Sequence, residues 1–122
     1  SREQPYPLLI LQPTTSPEAL RRYLSENGFE ILTETPLKEN GKLYSVMTAR
    51  FTGENKEMPE YFYYTGKINP KIEAGYLYIQ KQYSRLKKCA DALINLPEKQ
   101  SEYLHYKNLS DEIEKLITAK QE

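Results

Sequence analysis

Between residues 72 and 93, Ile72, Tyr76, Ile79, Tyr83, Leu86, Ala90 and Leu93 recur at alternating steps of four and three. That spacing follows one side of an α-helix and leaves a narrow apolar stripe that another helix must cover, so it predicts a coiled-coil seam. Pro97 interrupts the pattern, since proline cannot continue a helix interior. Tyr106, Leu109, Ile113 and Leu116 then resume a three-four spacing. The connection around Asn95 to Lys99 is short, which predicts an antiparallel helical hairpin.

Upstream the pattern is different. Leu8 to Leu11 reads LLIL and stops at Gln12 and Pro13, as expected for a short strand buried on both faces. Ser16 is placed to N-cap a helix with Pro17 in its first turn, and EALRRYLSEN should run as that helix to Gly28, with Leu20, Tyr23 and Leu24 as its apolar stripe. Two β-rich segments follow, Phe29 to about Thr35 and Leu43 to Phe51, separated by the turn signal Asn40-Gly41. Strand, helix and β-hairpin in that order make part of an α/β sheet. The polar stretch TGENKE then reads as a linker, which divides the chain into an α/β part, residues 1–52, and a helical part, residues 53–122. Within the second part, Met58 to Gly66 predicts a short aromatic helix, and Ile68 to Glu73 a turn around Pro70.

The 17 basic residues are matched by 17 acidic ones, so no global field draws the chain to nucleic acid or an anionic membrane, and any basic surface must be local. A single cysteine, Cys89, excludes an internal disulfide and fits a reducing, cytoplasmic setting. No apolar run approaches the roughly 20 residues of a spanning helix, and SREQPYP has no signal-peptide pattern. Cys89 and His105 each stand alone, so neither a metal site nor a nucleophilic triad can be assembled.

The ordered series LLILQPT, ALRRYLSENGFEIL, KENGKLYSVMTARF, EYFYYTGK and YIQKQYSRLKKCADAL resembles the bacterial S-adenosylmethionine-dependent tRNA (adenine-N1)-methyltransferase family that modifies position 22. Gln12, Pro13, Leu20, Arg21, Asn27, Gly28, Gly41, Lys42 and Tyr44 match that family's pattern; Thr14 stands where Asn is usual, and Asn40 where Asp is common. The resemblance covers nearly the whole chain but only the back of the family's sequence. It implies the C-terminal part of a Rossmann-like methyltransferase sheet, followed by the coiled-coil hairpin. The three strands would be the fifth, sixth and seventh of that sheet, with the seventh inserted antiparallel between the other two. It also implies an S-adenosylmethionine site built on an upstream loop. Gly28, Gly41, Gly53, Gly66 and Gly75 lie too far apart for a G-x-G-x-x-G loop, so no cofactor site is expected in this chain and the chain alone is expected to be inactive. An apolar first strand lacking a neighbour would favour dimerisation or strand swapping through its edge.

Two groups of residues are candidate site residues. Gln12, Pro13 and Thr14 follow the carboxyl end of a strand, where open α/β sheets bind ligands. They form either an active-site rim or a plain turn in which Thr14, Thr15 or Ser16 caps the helix. Lys67, Lys71, Lys81, Arg85, Lys87 and Lys88 could follow the phosphates of tRNA, or could be a solvated helix face. Tyr61, Tyr63, Tyr64, Tyr76 and Tyr83 could stack on bases, although such clusters more often pack a core. No DNA or membrane partner is expected. A non-enzymatic protein-interaction or dimerisation module is the competing expectation.

Overall fold

Residues 6–120 are described by a computed structural model. Its elements are β1 (Leu9–Leu11), α1 (Pro17–Glu26), β2 (Phe29–Glu39), β3 (Lys42–Phe51), α2 (Phe62–Thr65), α3 (Glu73–Leu93) and α4 (Gln100–Lys120), with a turn of 3₁₀ helix at Pro97–Lys99. They form two compact units, Ser1–Ile68 and Asn69–Glu122.

The Asn40-Gly41 pair sets the register of the first unit. Both residues take positive φ, 52° and 77°, as a two-residue type I′ hairpin requires. β2 therefore runs back along β3, with Glu39 opposite Lys42 and Phe29 opposite Phe51. β2 continues past Thr35 through Pro36, because it is an edge strand, where a missing N–H need not break the ladder. β1 pairs with the other side of β3, Leu9 opposite Ala49 and Leu11 opposite Met47. The order is β1-β3-β2, all antiparallel neighbours, so the last strand is inserted between the first two as the resemblance implies.

Two local expectations change. β1 is not buried on both faces: Leu9 and Leu11 lie half-buried, but Ile10, on the opposite side of the pleat, is 71% exposed. In α1, Tyr23 is 58% exposed while Arg21 is fully buried on the same face as Leu24 and Ser25. Ser16 holds the N-cap position without a side-chain hydrogen bond, and the first turn closes through the Leu20 N–H donating to the Ser16 carbonyl at 3.2 Å.

Arg21 is buried because Glu34 is buried beneath it. A register shift between Ile31 and Thr33 lets Ile31 face Ala49 and Glu34 face Met47, so two residues of opposite pleat parity both point to the core side. The Arg21 Nη2 lies 2.9 Å from Glu34 Oε1, and Nε donates to Oε2 at 3.1 Å. Three more bonds complete the node. Arg21 Nη1 donates to the Tyr63 carbonyl at 2.9 Å, Ser45 Oγ to Glu34 Oε1 at 2.7 Å, and the Lys67 N–H to Glu34 Oε2 at 3.1 Å. Gly66 (φ 54°, ψ −142°) crosses so close that a Cβ there would overlap the Glu34 carboxylate. The expected aromatic helix is accordingly cut to the single turn of α2, since the backbone after it is drawn onto the node. Before it, the Met58 N–H donates to the Tyr63 hydroxyl at 3.0 Å. Beside the node, Leu24, Ile31, Met47 and Ala49 form an apolar cluster joined by Leu11, Leu20, Phe29 and Phe62.

In the second unit, α3 and α4 pack along each other. Ile79, Leu86 and Ala90 of the stripe are buried, as are Leu109, Ile113 and Ile117 of α4. Ile72 is instead the exposed N-cap residue of α3. The Tyr83 hydroxyl donates to Glu114 Oε2 at 3.3 Å, while the 3₁₀ turn joins the end of α3 to the start of α4, so the helices run in opposite directions. The Gln100 side-chain amide closes the turn by donating to the carbonyls of Leu96 at 2.8 Å and Ile94 at 3.1 Å.

Breaking the node from one side should leave a buried charge without its counter-charge. Glu34→Ala is expected to destabilise the first unit by about 3–5 kcal/mol, and the double variant Arg21→Met/Glu34→Leu by clearly less. Urea unfolding measures both; additive losses would show that the two charges are not coupled.

Candidate nucleic-acid interface

Residues 81, 85 and 88 are separated by four and three positions, so at 100° per residue Lys81, Arg85 and Lys88 share one stripe of α3, on the side away from Ile79 and Leu86. All three are exposed. The acidic residues of α3, Glu73 and Asp91, lie outside this stripe, and Arg85 Nη2 donates to the neutral Gln82 side chain at 2.7 Å. The stripe is therefore a local cationic surface on a chain of zero net charge.

Lys87 does not belong to it. It projects toward the α4 side, with its Nζ 3.3 Å from Asp91 Oδ2, and that hydrogen bond raises its pKa above the ordinary lysine value. Lys107 repeats the arrangement on α4 with Asp111 at 2.8 Å, and Lys115 lies 3.0 Å from Glu112. The charges of α4 are thus largely compensated within the helix. Tyr83, half-buried between these pairs, has its phenol pKa pushed up, first by burial and then by the Glu114 charge.

The remaining cations are apart from the stripe. Lys71 is exposed in the turn before α3, its backbone N–H donating to Asn69 Oδ1 at 2.9 Å. Lys67 belongs to the first unit, where its side chain borders a cavity. Of the tyrosines, Tyr63 is buried and carries the Arg22 guanidinium 4.2 Å from its ring centroid, with Arg22 also 2.5 Å from Glu60. Tyr63 is a packing residue. Tyr61, Tyr64, Tyr76 and Tyr83 are half-buried.

Gln12, Pro13 and Thr14 follow β1, with Gln12 and Thr14 exposed and Pro13 half-buried. The absence of a side-chain cap on α1 leaves the capping role unfilled by Ser16.

A cavity of the first unit, bordered by Phe29, Ile31, Met58 and Phe62, holds about 130 Å³. The positive-φ glycines lie after α1, in the β2–β3 turn, after β3 and after α2. Among the described residues no group of three His, Cys, Asp or Glu side chains could hold a metal, and no helix is long and apolar enough to cross a membrane.

A family model described as tRNA (adenine(22)-N(1))-methyltransferase, TrmK, matches residues 2–118. No curated protein sequence matches. Among solved structures, the candidate tRNA (m1A22) methyltransferase of Streptococcus pneumoniae is similar at 26% identity and TM-score 0.67, covering 90% of this chain and 49% of that one. The B. subtilis m1A22 tRNA methyltransferase TrmK superposes with TM-score 0.74 at 16% identity, covering 90% of this chain and 51% of that one. M. capricolum TrmK, solved with S-adenosyl-homocysteine, gives 0.62 at 19%, covering 91% and 49%. At those two identities the likeness is one of fold. The chain spans about half the length of the solved structures it matches. With its family model matched from residue 2 to residue 118, the chain belongs to the tRNA (adenine(22)-N(1))-methyltransferase family.

Proposed function

We propose that this chain is the substrate-holding part of a bacterial, cytoplasmic methyltransferase that transfers a methyl group from S-adenosylmethionine to N1 of adenine 22 in tRNA. The exposed stripe of Lys81, Arg85 and Lys88 carries the assignment of a tRNA-holding role. Its three exposed cations span about 10 Å along the helix axis, a length over which successive phosphates of one RNA strand can be met. The stripe of apolar positions on α3 and α4 supports packing them as a coiled-coil hairpin, a stiff arm suited to that task. Lys67, Lys71 and Lys87 add to the candidate contacts, Lys87 least, because Asp91 already neutralises it.

S-adenosylmethionine would supply the methyl group from a site built by residues outside this chain. What the chain adds near that chemistry is the segment Gln12, Pro13 and Thr14, which we assign to the rim of the pocket that receives the extruded adenine. The exposed side chains of Gln12 and Thr14 can hydrogen-bond a base edge, and Thr14 offers a hydroxyl where the family usually has an amide. The expected division at residues 52 and 53 shifts with this: the compact unit Ser1–Ile68 continues the methyltransferase sheet, and α3 and α4 of the unit Asn69–Glu122 form the arm.

Charge reversal separates this reading from a solvated helix face. The triple variant Lys81→Glu/Arg85→Glu/Lys88→Glu should weaken tRNA binding and lower the slope of log affinity against log salt by about 2–3. Lys87→Ala should change both much less, because Asp91 already pairs with that lysine. Gel-shift titrations across salt concentrations measure this, and an unchanged slope would remove the stripe from consideration. Calorimetry on the 122-residue chain should show no S-adenosylmethionine binding; micromolar affinity would contradict the placement of the cofactor site.

Self-association is a second reading, favoured by the exposure of Ile10 on the edge strand β1. An edge strand with an apolar face offers unpaired backbone groups to a second copy. Sedimentation should then show concentration-dependent dimers, and a monodisperse monomer at high concentration would exclude them.

A further inference from the structure

We propose that the cavity between the end of α1, the start of β2 and residues 52–58 is a second contact for RNA, binding one unstacked pyrimidine nucleotide with a preference for cytosine. The proposal rests on the tRNA-holding role argued above, but not on the α3 stripe.

The cavity lies at the Phe51 end of β3, where Phe29 pairs, whereas Gln12 continues from the Leu11–Met47 pair toward the other end of that strand. It is therefore separate from the Gln12–Thr14 rim. Its wall is pinned without help from a ligand. The Lys56 N–H donates to the Ser25 carbonyl at 2.8 Å, and the Gly28 carbonyl accepts from the N–H groups of Thr52 at 2.7 Å and Gly53 at 3.0 Å. Gly28 makes this approach possible: its φ is 83°, and a Cβ there would lie 2.9 Å from the Phe51 ring and 3.2 Å from the Gly53 Cα.

Phe29, Ile31, Met58 and Phe62 give the cavity an apolar lining around a volume of about 130 Å³. An apolar cavity of about 150 Å³ accommodates one six-membered ring, so the volume matches a single pyrimidine ring. The rim carries Glu30, Glu54, Lys56 and Lys67. All four are exposed, and their side chains take part in none of the ion pairs seen among the described residues. At position 4 of the ring a carboxylate accepts a hydrogen bond from the exocyclic amine of cytosine, where uracil presents a carbonyl oxygen that repels it. Lysines suit the attached phosphate. Apolar lining, ring-sized volume and both rim charges together fit a cytidine nucleotide better than a free anion or a flat protein surface.

Cytidine and uridine 5′-monophosphate, titrated into the 122-residue chain and followed by NMR, test this. Cytidine monophosphate should shift the resonances of Phe29, Ile31, Met58 and Phe62 and bind about tenfold tighter than uridine monophosphate. Glu30→Gln/Glu54→Gln should abolish that preference. Lys56→Glu/Lys67→Glu should weaken cytidine monophosphate by about tenfold while leaving phosphate-free cytidine unaffected. Absence of shifts at the lining residues, or equal binding of the two nucleotides, would overturn the proposal. If tRNA binding through the α3 stripe persisted in that case, the cavity alone would be at fault; loss of tRNA binding altogether would instead refute the functional reading beneath it.

Discussion

A guanidinium and a carboxylate buried against each other set the geometry of the first unit. Removing two charges from water is tolerable only where each lone pair and each N–H finds a partner, and at Arg21 and Glu34 those partners come from four places in the chain. Helix α1 supplies the cation, β2 the anion, β3 the Ser45 hydroxyl, and the segment around α2 the Tyr63 carbonyl and the Lys67 N–H. Each partner fixes one element. The rotation of α1 must bury Arg21 rather than Tyr23, β2 must carry its register shift to turn Glu34 inward, and only glycine can pass at position 66. The adjoining apolar cluster is small, so this node supplies much of what ties the α2 segment to the sheet.

The second unit solves a simpler problem. Two 21-residue helices bury one apolar stripe each and satisfy their connection with one glutamine side chain. Their charges are distributed unequally. On α4 Lys107 and Lys115 pair with Asp111 and Glu112, while on α3 Lys81, Arg85 and Lys88 share one exposed stripe. Exposed i,i+4 pairs contribute little to stability, about 0.3–0.5 kcal/mol each, so this distribution shapes the surface field far more than it shapes the fold. It is how a chain with no net charge can still carry a local basic surface.

Elements fixed by local physics were legible in the sequence. The Asn40-Gly41 turn, the helix ending at Gly28, the stripe at Ile79, Leu86 and Ala90 and the break at Pro97 each depend on residues close together in the chain. The antiparallel insertion of β3 was legible only through family resemblance, since no periodicity encodes strand order. The buried ion pair was hidden. An arginine in a helix and a glutamate in a strand read as surface residues, and the register shift that turns Glu34 inward leaves no mark in the alternation of apolar residues. For the same reason the aromatic segment read as a longer helix than α2, because the bonds that end it come from residues more than thirty positions away. The six candidate cations were read as one group; that Lys81, Arg85 and Lys88 share a stripe, and that Lys87 pairs with Asp91, were both available from their spacing.

Photocrosslinking of bound tRNA followed by mass spectrometry tests the proposed role of the chain most directly, because it reports which residues face the RNA without altering any of them. The account predicts crosslinked peptides spanning Lys81 to Lys88 on α3 and none from the compensated face of α4 around Lys107 and Asp111. Crosslinks confined to α4, or no crosslinks under conditions where tRNA is bound, would contradict it.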